Sequence, residues 1–281
     1  MSIKGAMMSE TKPVHEVFIS RRQSMLAALA EQRNIMGAVI LRDLRTRFFN
    51  HGLGFLIVPA FPFVHLFALL LLHNLAGSEY AYGEDANVFL ATGLIPTLSF
   101  MYVSRFMGLS LLMNRPMLAY PIIGMLEVVF ARAILEILGA VWMAAAVISV
   151  LYAVGSDPLP ADPVQAFLAF CTTLLLSVSV GLLVALVTAV FETFVTVWAL
   201  TLILFYIASG SLFVVSLLPA QAVRILAWNP VLHCTEWMRT AYYPSYPEQV
   251  LDKGYLLAVA FGALVLGLAA ERALRRRILG G

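Results

Sequence analysis

The chain has 281 residues, of which 61% are hydrophobic and only 12% charged, with a mean hydropathy of +0.89 and a formal net charge of +2. Soluble domains carry about a quarter of their residues as Asp, Glu, Lys or Arg. This composition excludes a soluble domain and places the chain among integral membrane proteins, with no nucleic-acid partner expected. The placement of the charges says more than their sum: most lie in the first 50 residues, in short breaks between apolar runs, and in the tail. Two cysteines, Cys171 and Cys234, allow at most one disulfide, and buried thiols are the simpler expectation. With no CxxC, HExxH or paired Cys/His cluster, neither a metal site nor a catalytic residue is expected.

Residues 1–33 are mixed polar sequence without an apolar core, so they do not read as a secretory signal. Residues 1–30 are assigned to a cytoplasmic N-terminal extension and 31–281 to one transmembrane domain. From Glu31 to Phe49 the apolar residues Ile35, Met36, Val39, Ile40, Leu44 and Phe48 recur at helical spacing, with Arg42 and Arg45 on the opposite face. Asp43 is placed to pair with Arg47 one turn on. Such a helix lies in the membrane interface with its arginines at headgroup level. It serves as an anchor for the first span, or as a substrate gate in which Arg42, Arg45 and Arg47 read an anionic lipid head or sugar.

A hydrocarbon core about 30 Å thick needs roughly 20 apolar helical residues. Six stretches qualify, at about 53–73, 87–111, 125–154, 164–190, 193–216 and 254–271, and the third is long enough to tilt or protrude. The stretches joining spans one to two and three to four carry acids (Glu79, Glu84, Asp85; Asp157, Asp162) and no Lys or Arg. Arg115 follows span two, flanked by Arg105 and Arg132, and the tail holds Arg272, Arg275, Arg276 and Arg277. The positive-inside rule then puts both termini in the cytoplasm, as an even number of spans requires. The stretch 217–250, broken by Pro219, Pro230, Pro244 and Pro247, falls outside and reads as short re-entrant helices over a pathway, against the alternative of a surface hairpin. The expected fold is therefore all-α and integral to the membrane: six transmembrane helices, an N-terminal amphipathic interface helix, and short re-entrant helices between spans five and six.

Charges inside the spans are few. Glu127, Arg132 and Glu136 open span three, with Arg132 and Glu136 spaced to pair at i,i+4, which suits a structural or docking role more than a proton relay. Glu192 sits in a turn that water reaches. His65 and His73 are expected to hydrogen-bond to neighbouring helices. Ala258, Gly262, Ala263 and Gly267 give close-packing spacing on span six. Tyr206, Phe213, Trp228, Trp237, Tyr242, Tyr243 and Tyr246 form either an interfacial aromatic belt or a track on which sugar rings stack, and composition does not choose between them.

The runs Arg42-Asp-Leu-Arg-Thr-Arg-Phe48, Gly93-Leu-Ile-Pro96, Asn114-Arg-Pro116, Phe130-Ala-Arg-Ala-Ile-Leu-Glu136 and Trp228-Asn-Pro-Val-Leu-His233, followed by Glu236, occur in order between residues 35 and 272. Together they resemble the capsular polysaccharide export permeases of Gram-negative bacteria, membrane subunits of the ABC transporter superfamily. The resemblance implies a homodimer in the inner membrane, paired with two copies of a separate ATPase subunit. ATP and Mg would be bound by that partner, since this sequence lacks GxxxxGK[ST]. It implies a lipid-linked polysaccharide as substrate, and a periplasmic co-polymerase and an outer-membrane exporter as further partners. It places Arg42, Arg45 and Arg47 at the lateral opening. Arg115, Pro116, Tyr120 and Glu127 fall at the ATPase-coupling element. Tyr206, Phe213, Trp228, Asn229, His233, Glu236, Trp237 and Arg239 fall at the outer gate and channel.

Alternatives remain. Within the class these are export of a lipid-linked O-antigen or a teichoic-acid-type polymer. A membrane-embedded lipid-modifying enzyme would cluster acids for a metal-diphosphate, and here they are scattered. A secondary transporter would show discontinuous helices in matching halves and midplane charges, which are missing.

Overall fold

The computed structural model describes residues 25–47, 54–76, 82–120 and 123–279. In chain order the helices are α1 (Met25–Arg47), α2 (Gly54–Ala76), α3 (Ala86–Gly108), α4 (Ser110–Met113), α5 (Arg115–Leu118), α6 (Met125–Ala153), α7 (Pro163–Val190), α8 (Phe194–Ile207), α9 (Ala220–Leu226), α10 (Pro230–Tyr242) and α11 (Lys253–Leu279). The described residues contain no strand, so the all-α expectation holds. Among the described residues, four helical stretches are long and apolar enough to cross a membrane: Ala86–Met113, Met125–Ala153, Pro163–Val190 and Lys253–Arg275. Ala60–Ala76 and Phe194–Ile207 are shorter apolar helices. The N-terminal extension assigned to 1–30 lies largely outside the described residues.

Helix starts follow local chemistry. Asp85 caps α3 by accepting from the Asn87 N–H at 2.7 Å. Asp162 caps α7 by accepting from the Val164 and Gln165 N–H groups at 3.0 Å each, with Pro163 in the first turn, where its missing N–H costs nothing. Asn229 followed by Pro230 starts α10 in the same way.

α3 and α7 form the centre. They close on each other at small residues: a Cβ added to Gly108 would stand 2.5 Å from Val184, and one added to Gly181 would stand 2.8 Å from Met107. α6 packs on α3, α11 packs along α7, and α1 and α2 lean on α6. Of the small residues on α11, Gly267 faces Leu182 of α7, whereas Gly262 meets nothing within 4 Å. α6 has 29 residues, about 43 Å of helix against a core of about 30 Å, the length expected to tilt or protrude.

The fifth apolar run differs from expectation. A helix to about 216 was predicted, but α8 has 14 residues and ends at Ile207, about 21 Å of helix. The reason is local. Ser209 Oγ donates to the Tyr206 carbonyl at 2.7 Å, and Gly210 takes φ +69°, open to glycine at no steric cost. The chain then turns back, and Arg239 takes up the carbonyls of Ser211 and Phe213. Hydropathy reports preference for lipid and is blind to such a turn.

α10 is buried along nearly its whole length, between α3, α7 and α11. Its contacts on α3 fall at Gly93 and Thr97, roughly 10 and 16 Å along that helix from its start. α10 is thus part of the bundle, and a hairpin lying on the surface does not describe it.

Gly93 is pressed from two sides, since a Cβ there would stand 2.4 Å from the Ser211 carbonyl oxygen in the turn after α8 and 2.9 Å from Arg239 Nη2 of α10. Gly93→Ala is expected to lower the melting temperature of the detergent-solubilised protein through overpacking of about 1–3 kcal/mol. Gly262→Ala should leave it unchanged. Thermal unfolding read by size exclusion tests the pair, and equal behaviour of the two variants would contradict the packing described.

Candidate functional site

Three side-chain groups among the described residues hold the charged residues that the sequence singles out at the two ends of the bundle. The first joins α1 to α6. Asp43, 5% exposed, takes a hydrogen bond from Arg132 Nη1 at 3.3 Å, and Arg132 Nε lies 2.7 Å from Glu136 Oε1. The guanidinium also stands 5.8 Å over the Phe106 ring of α3. The Arg132–Glu136 pair is the one the spacing predicts. The Arg47 side of the expected Asp43–Arg47 pairing lies outside the described residues; Asp43 itself reaches into the bundle, where the buried Arg132 guanidinium needs counter-charge. Arg42 Nη1 donates to Asn114 Oδ1 at 3.0 Å and so reaches the α4–α5 turn. Arg45 is exposed, and the Arg47 side chain lies outside the described residues. The described arginines of α1 therefore do not converge: Arg42 and Asp43 dock the helix, and Arg45 faces away.

The second group is the α4–α5 turn. Asn114 is buried and its Nδ2 donates to the Ser110 carbonyl at 2.9 Å. The neighbouring Arg115 side chain forms an ion pair with Glu192 in the α7–α8 turn and donates to the Ala189 carbonyl at 3.4 Å. Pro116 and Tyr120 are exposed, Tyr120 by 65%. Pro121, also expected in this element, lies outside the described residues. Glu127 folds back over Gly124, where an added Cβ would come within 2.3 Å of its Oε2, with Arg275 of α11 alongside. The turn thus gathers pieces of α5, α6, α7 and α11 at one end of the bundle, with the apolar core behind it.

The third group, at the far end, is the most enclosed. Arg239 and Glu236 are 0% exposed. Arg239 Nη1 donates to the Phe213 carbonyl and Nη2 to the Ser211 carbonyl, both at 2.8 Å, and its guanidinium lies 4.0 Å over the Phe89 ring. Glu236 Oε1 lies 3.7 Å from Arg239 and accepts from the Tyr246 hydroxyl at 2.9 Å. Thr235 meets Thr97 at 3.2 Å.

The predicted gate residues separate here. Asn229 caps α10 and donates to the Phe205 carbonyl at 3.2 Å; Trp237 Nε1 donates to Gln165 at 2.8 Å. His233 Nδ1 accepts from the Asp252 N–H at 3.1 Å, so its Nε2 carries the proton and donates to the Ala227 carbonyl at 2.8 Å. Phe213 contributes its carbonyl. Trp228 points outward, 77% exposed. Tyr206 sits elsewhere, its ring 6.0 Å from that of His65 on α2. His65 thus makes ring contacts instead of the expected hydrogen bond, and His73 Nε2 has no partner.

Sequence reasoning missed Phe89, the close approach that Gly93 allows, and the tie from Tyr246 to Glu236. The i,i+3 spacing of Glu236 and Arg239 within an apolar segment was the one available signal. Nothing in spacing points 150 residues back to Phe89. Among the described residues, no group of three or more His, Cys, Asp or Glu could hold a metal ion.

These features define a polytopic helical membrane domain, with an exposed turn carrying Arg115 at one end and a buried charged group around Arg239 at the other. The chain belongs to the ABC-2 type transporter family, whose pattern it matches over residues 36–243. It is similar to the capsule polysaccharide export inner-membrane protein CtrC of Neisseria meningitidis serogroup B, 26% identical over 248 residues, covering 88% of this chain and 94% of CtrC. Similar too are the polysialic acid transport protein KpsM of Escherichia coli, 28% identical over 241 residues (86% of this chain, 93% of KpsM), and the capsule polysaccharide export inner-membrane protein BexB of Haemophilus influenzae, 24% identical over 241 residues (86% and 91%).

Removing Arg239 leaves Glu236 charged and unpaired in the interior. Arg239→Ala is therefore expected to cost about 3–5 kcal/mol. The double variant Glu236→Leu with Arg239→Met should regain part of this and not all, because the Ser211 and Phe213 carbonyls still lose their donors. Melting curves of the three proteins test the order wild type, double variant, single variant.

Proposed function

We propose that this chain is the membrane-spanning subunit of an ATP-driven exporter that moves lipid-linked capsular polysaccharide across the inner membrane. The observation that carries the reading is the family match, together with capsule-export relatives aligned over more than nine-tenths of their own length. ATP and Mg belong to a separate ATPase subunit, present in two copies beside a homodimer of this chain. The apolar side chains that α2 and α8 expose, among them Phe61, Val64, Leu71, Leu200 and Leu204, suit a second copy or lipid.

The basic residues at Arg105, Arg115 and the tail put the α4–α5 end and both termini in the cytoplasm. Exposed Pro116 and Tyr120 then form the knob that docks on the ATPase. Two ties carry its movement. Arg115–Glu192 passes it to α7 and α8, and Asn114–Arg42 passes it to α1. Arg45 on the exposed side of α1 meets the anionic linkage of the substrate, while Arg42 answers to the turn. At the far end α9 and α10 act as re-entrant helices, and Arg239 holds the turn after α8 closed against α3. Passage of polymer requires those two carbonyls to be released. Periplasmic partners would meet the short segments before α3 and before α7.

Deleting the gene is expected to abolish surface polysaccharide and leave its lipid-linked form inside the cell. Accumulation of lipid-linked O-antigen would identify the alternative cargo instead, and an unchanged surface would overturn the exporter reading. Arg115 and Glu192 are each about half exposed, so their pair adds only about 0–1 kcal/mol to stability, and variants there should fold. Arg115→Glu and Tyr120→Ala are expected to lose a co-purifying ATPase or its stimulation, with Glu192→Arg reversing the loss caused by Arg115→Glu. An ATPase that stays bound and coupled in all of these variants would remove the turn from the docking surface.

A further inference from the structure

Beside the buried Arg239 group, and separate from it, lies an open cavity of about 550 Å³ at the start of α11, lined by Trp228, His233, Gln249, Asp252, Lys253 and Tyr255 among others. Its size falls within the range of small-molecule sites. Resting on the export reading above, we propose that this cavity is a saccharide subsite that takes pyranose rings of the exported chain as they leave the bundle.

The walls are built without an occupant. His233 is held from both sides, by the Ala227 carbonyl at 2.8 Å and the Asp252 N–H at 3.1 Å, and its ring meets that of Tyr255 at 5.1 Å. The Tyr255 hydroxyl donates to the Trp228 carbonyl at 2.8 Å. Asp252 Oδ1 caps α11 by accepting from the Tyr255 N–H at 2.8 Å. Lys253 Nζ donates to Gln165 at 2.9 Å and stands 4.8 Å over the Trp237 ring. The backbone of Trp228 is thus fixed, while its indole is 77% exposed. A rigid framework that presents an uncovered aromatic face is costly to keep unless something covers it, and the C–H face of a pyranose is a matching surface.

The polar groups fit the same ligand. The exposed Gln249 amide and Asp252 carboxylate offer donors and acceptors to ring hydroxyls. Asp252 and Lys253 cancel in charge, so the cavity reads hydroxyl pattern and ring face instead of net charge. That balance disfavours a phosphate headgroup, which would draw two or more cations, and the charged and amide groups among the lining residues disfavour an acyl chain.

Two substitutions test the site without touching its frame, because the described hydrogen bonds at Trp228 use only its backbone and Gln249 makes none. The full chain in nanodiscs would be titrated with short oligosaccharides cut from the surface polysaccharide of the cell that carries this gene, with tryptophan emission as the readout. The signal from Trp228, one of four tryptophans, is the difference between wild type and Trp228→Leu. Saturable quenching is expected in the wild type and persists at high salt. It should vanish in Trp228→Leu and need roughly tenfold more sugar in Gln249→Ala. Both variants should also slow surface display of polysaccharide in cells.

No sugar-dependent change, with Trp228 quenched instead by brominated phosphatidylcholine, would make this residue a membrane anchor and overturn the proposal. A sugar response equal in wild type and Trp228→Leu would overturn it as well. If deletion of the gene abolishes export while these titrations fail, the export reading stands and the subsite alone is lost.

Discussion

One guanidinium organises the far end of this bundle. Moving Arg239 out of water costs several kcal/mol, and the protein offsets this with two carbonyls, one carboxylate, a tyrosine hydroxyl and a phenylalanine face. None of these is close to Arg239 in sequence except Glu236 and Tyr246. To gather them, α8 must stop after Ile207, the chain must turn at Gly210, α10 must sink between α3 and α7, and α3 must carry no side chain at position 93. The short fifth helix, the buried α10 and the glycine on α3 are therefore consequences of a single solvation requirement.

The opposite end solves the same problem with different parts. Arg132 is as buried as Arg239, and its counter-charges, Asp43 and Glu136, come from α1 and from its own helix. In both places a buried arginine ties a segment outside the four long apolar helices to one of those four. α3 lies under both: Phe89 faces Arg239 and Phe106 faces Arg132, 17 residues apart, or about 25 Å along the axis. Glycine-mediated contact fixes α3 against α7, so the two charged groups share one rigid centre. Energetic coupling between ends needs such contiguous packing together with an element that has two arrangements. The turn after α8, which Arg239 holds through the Ser211 and Phe213 carbonyls, is the natural candidate for that element.

The parts of the fold that hydropathy and short-range spacing govern were legible in the sequence: the first four apolar helices to within about three residues, and the Arg132–Glu136 pair. Contacts that depend on distant chain segments were not. The contact of Asp43 with Arg132 spans 89 residues of sequence, and helical spacing along α1 gives no hint of it. The run from Ala208 to Val214 is apolar enough to extend a span, and only its glycine hinted that it does not. The site residues chosen near Trp228 were brought together in part: Asn229, His233, Glu236, Trp237 and Arg239 share α10 and its cap, while Tyr206 belongs to the contact with α2. Arg42 and Arg45 share a helix face but face different neighbours, a distinction that helical spacing does not encode.

In the proposed transport cycle the closure at Arg239 has a further consequence. A hydrogen bond to a charged group contributes about 1.5–3 kcal/mol, so breaking two without replacement would be a large barrier for a motion driven from the other end of the molecule. A polymer rich in hydroxyls changes the balance, because each hydroxyl can accept from the guanidinium as a carbonyl does, or donate to the carbonyls left behind. The gate would then open more readily with cargo present than without it. A closure made only of apolar side chains could not discriminate in this way, since it would open as easily onto lipid as onto sugar. Retaining a buried arginine at some cost in stability is thus the choice expected of a gate that must stay shut to everything except a polyhydroxylated chain.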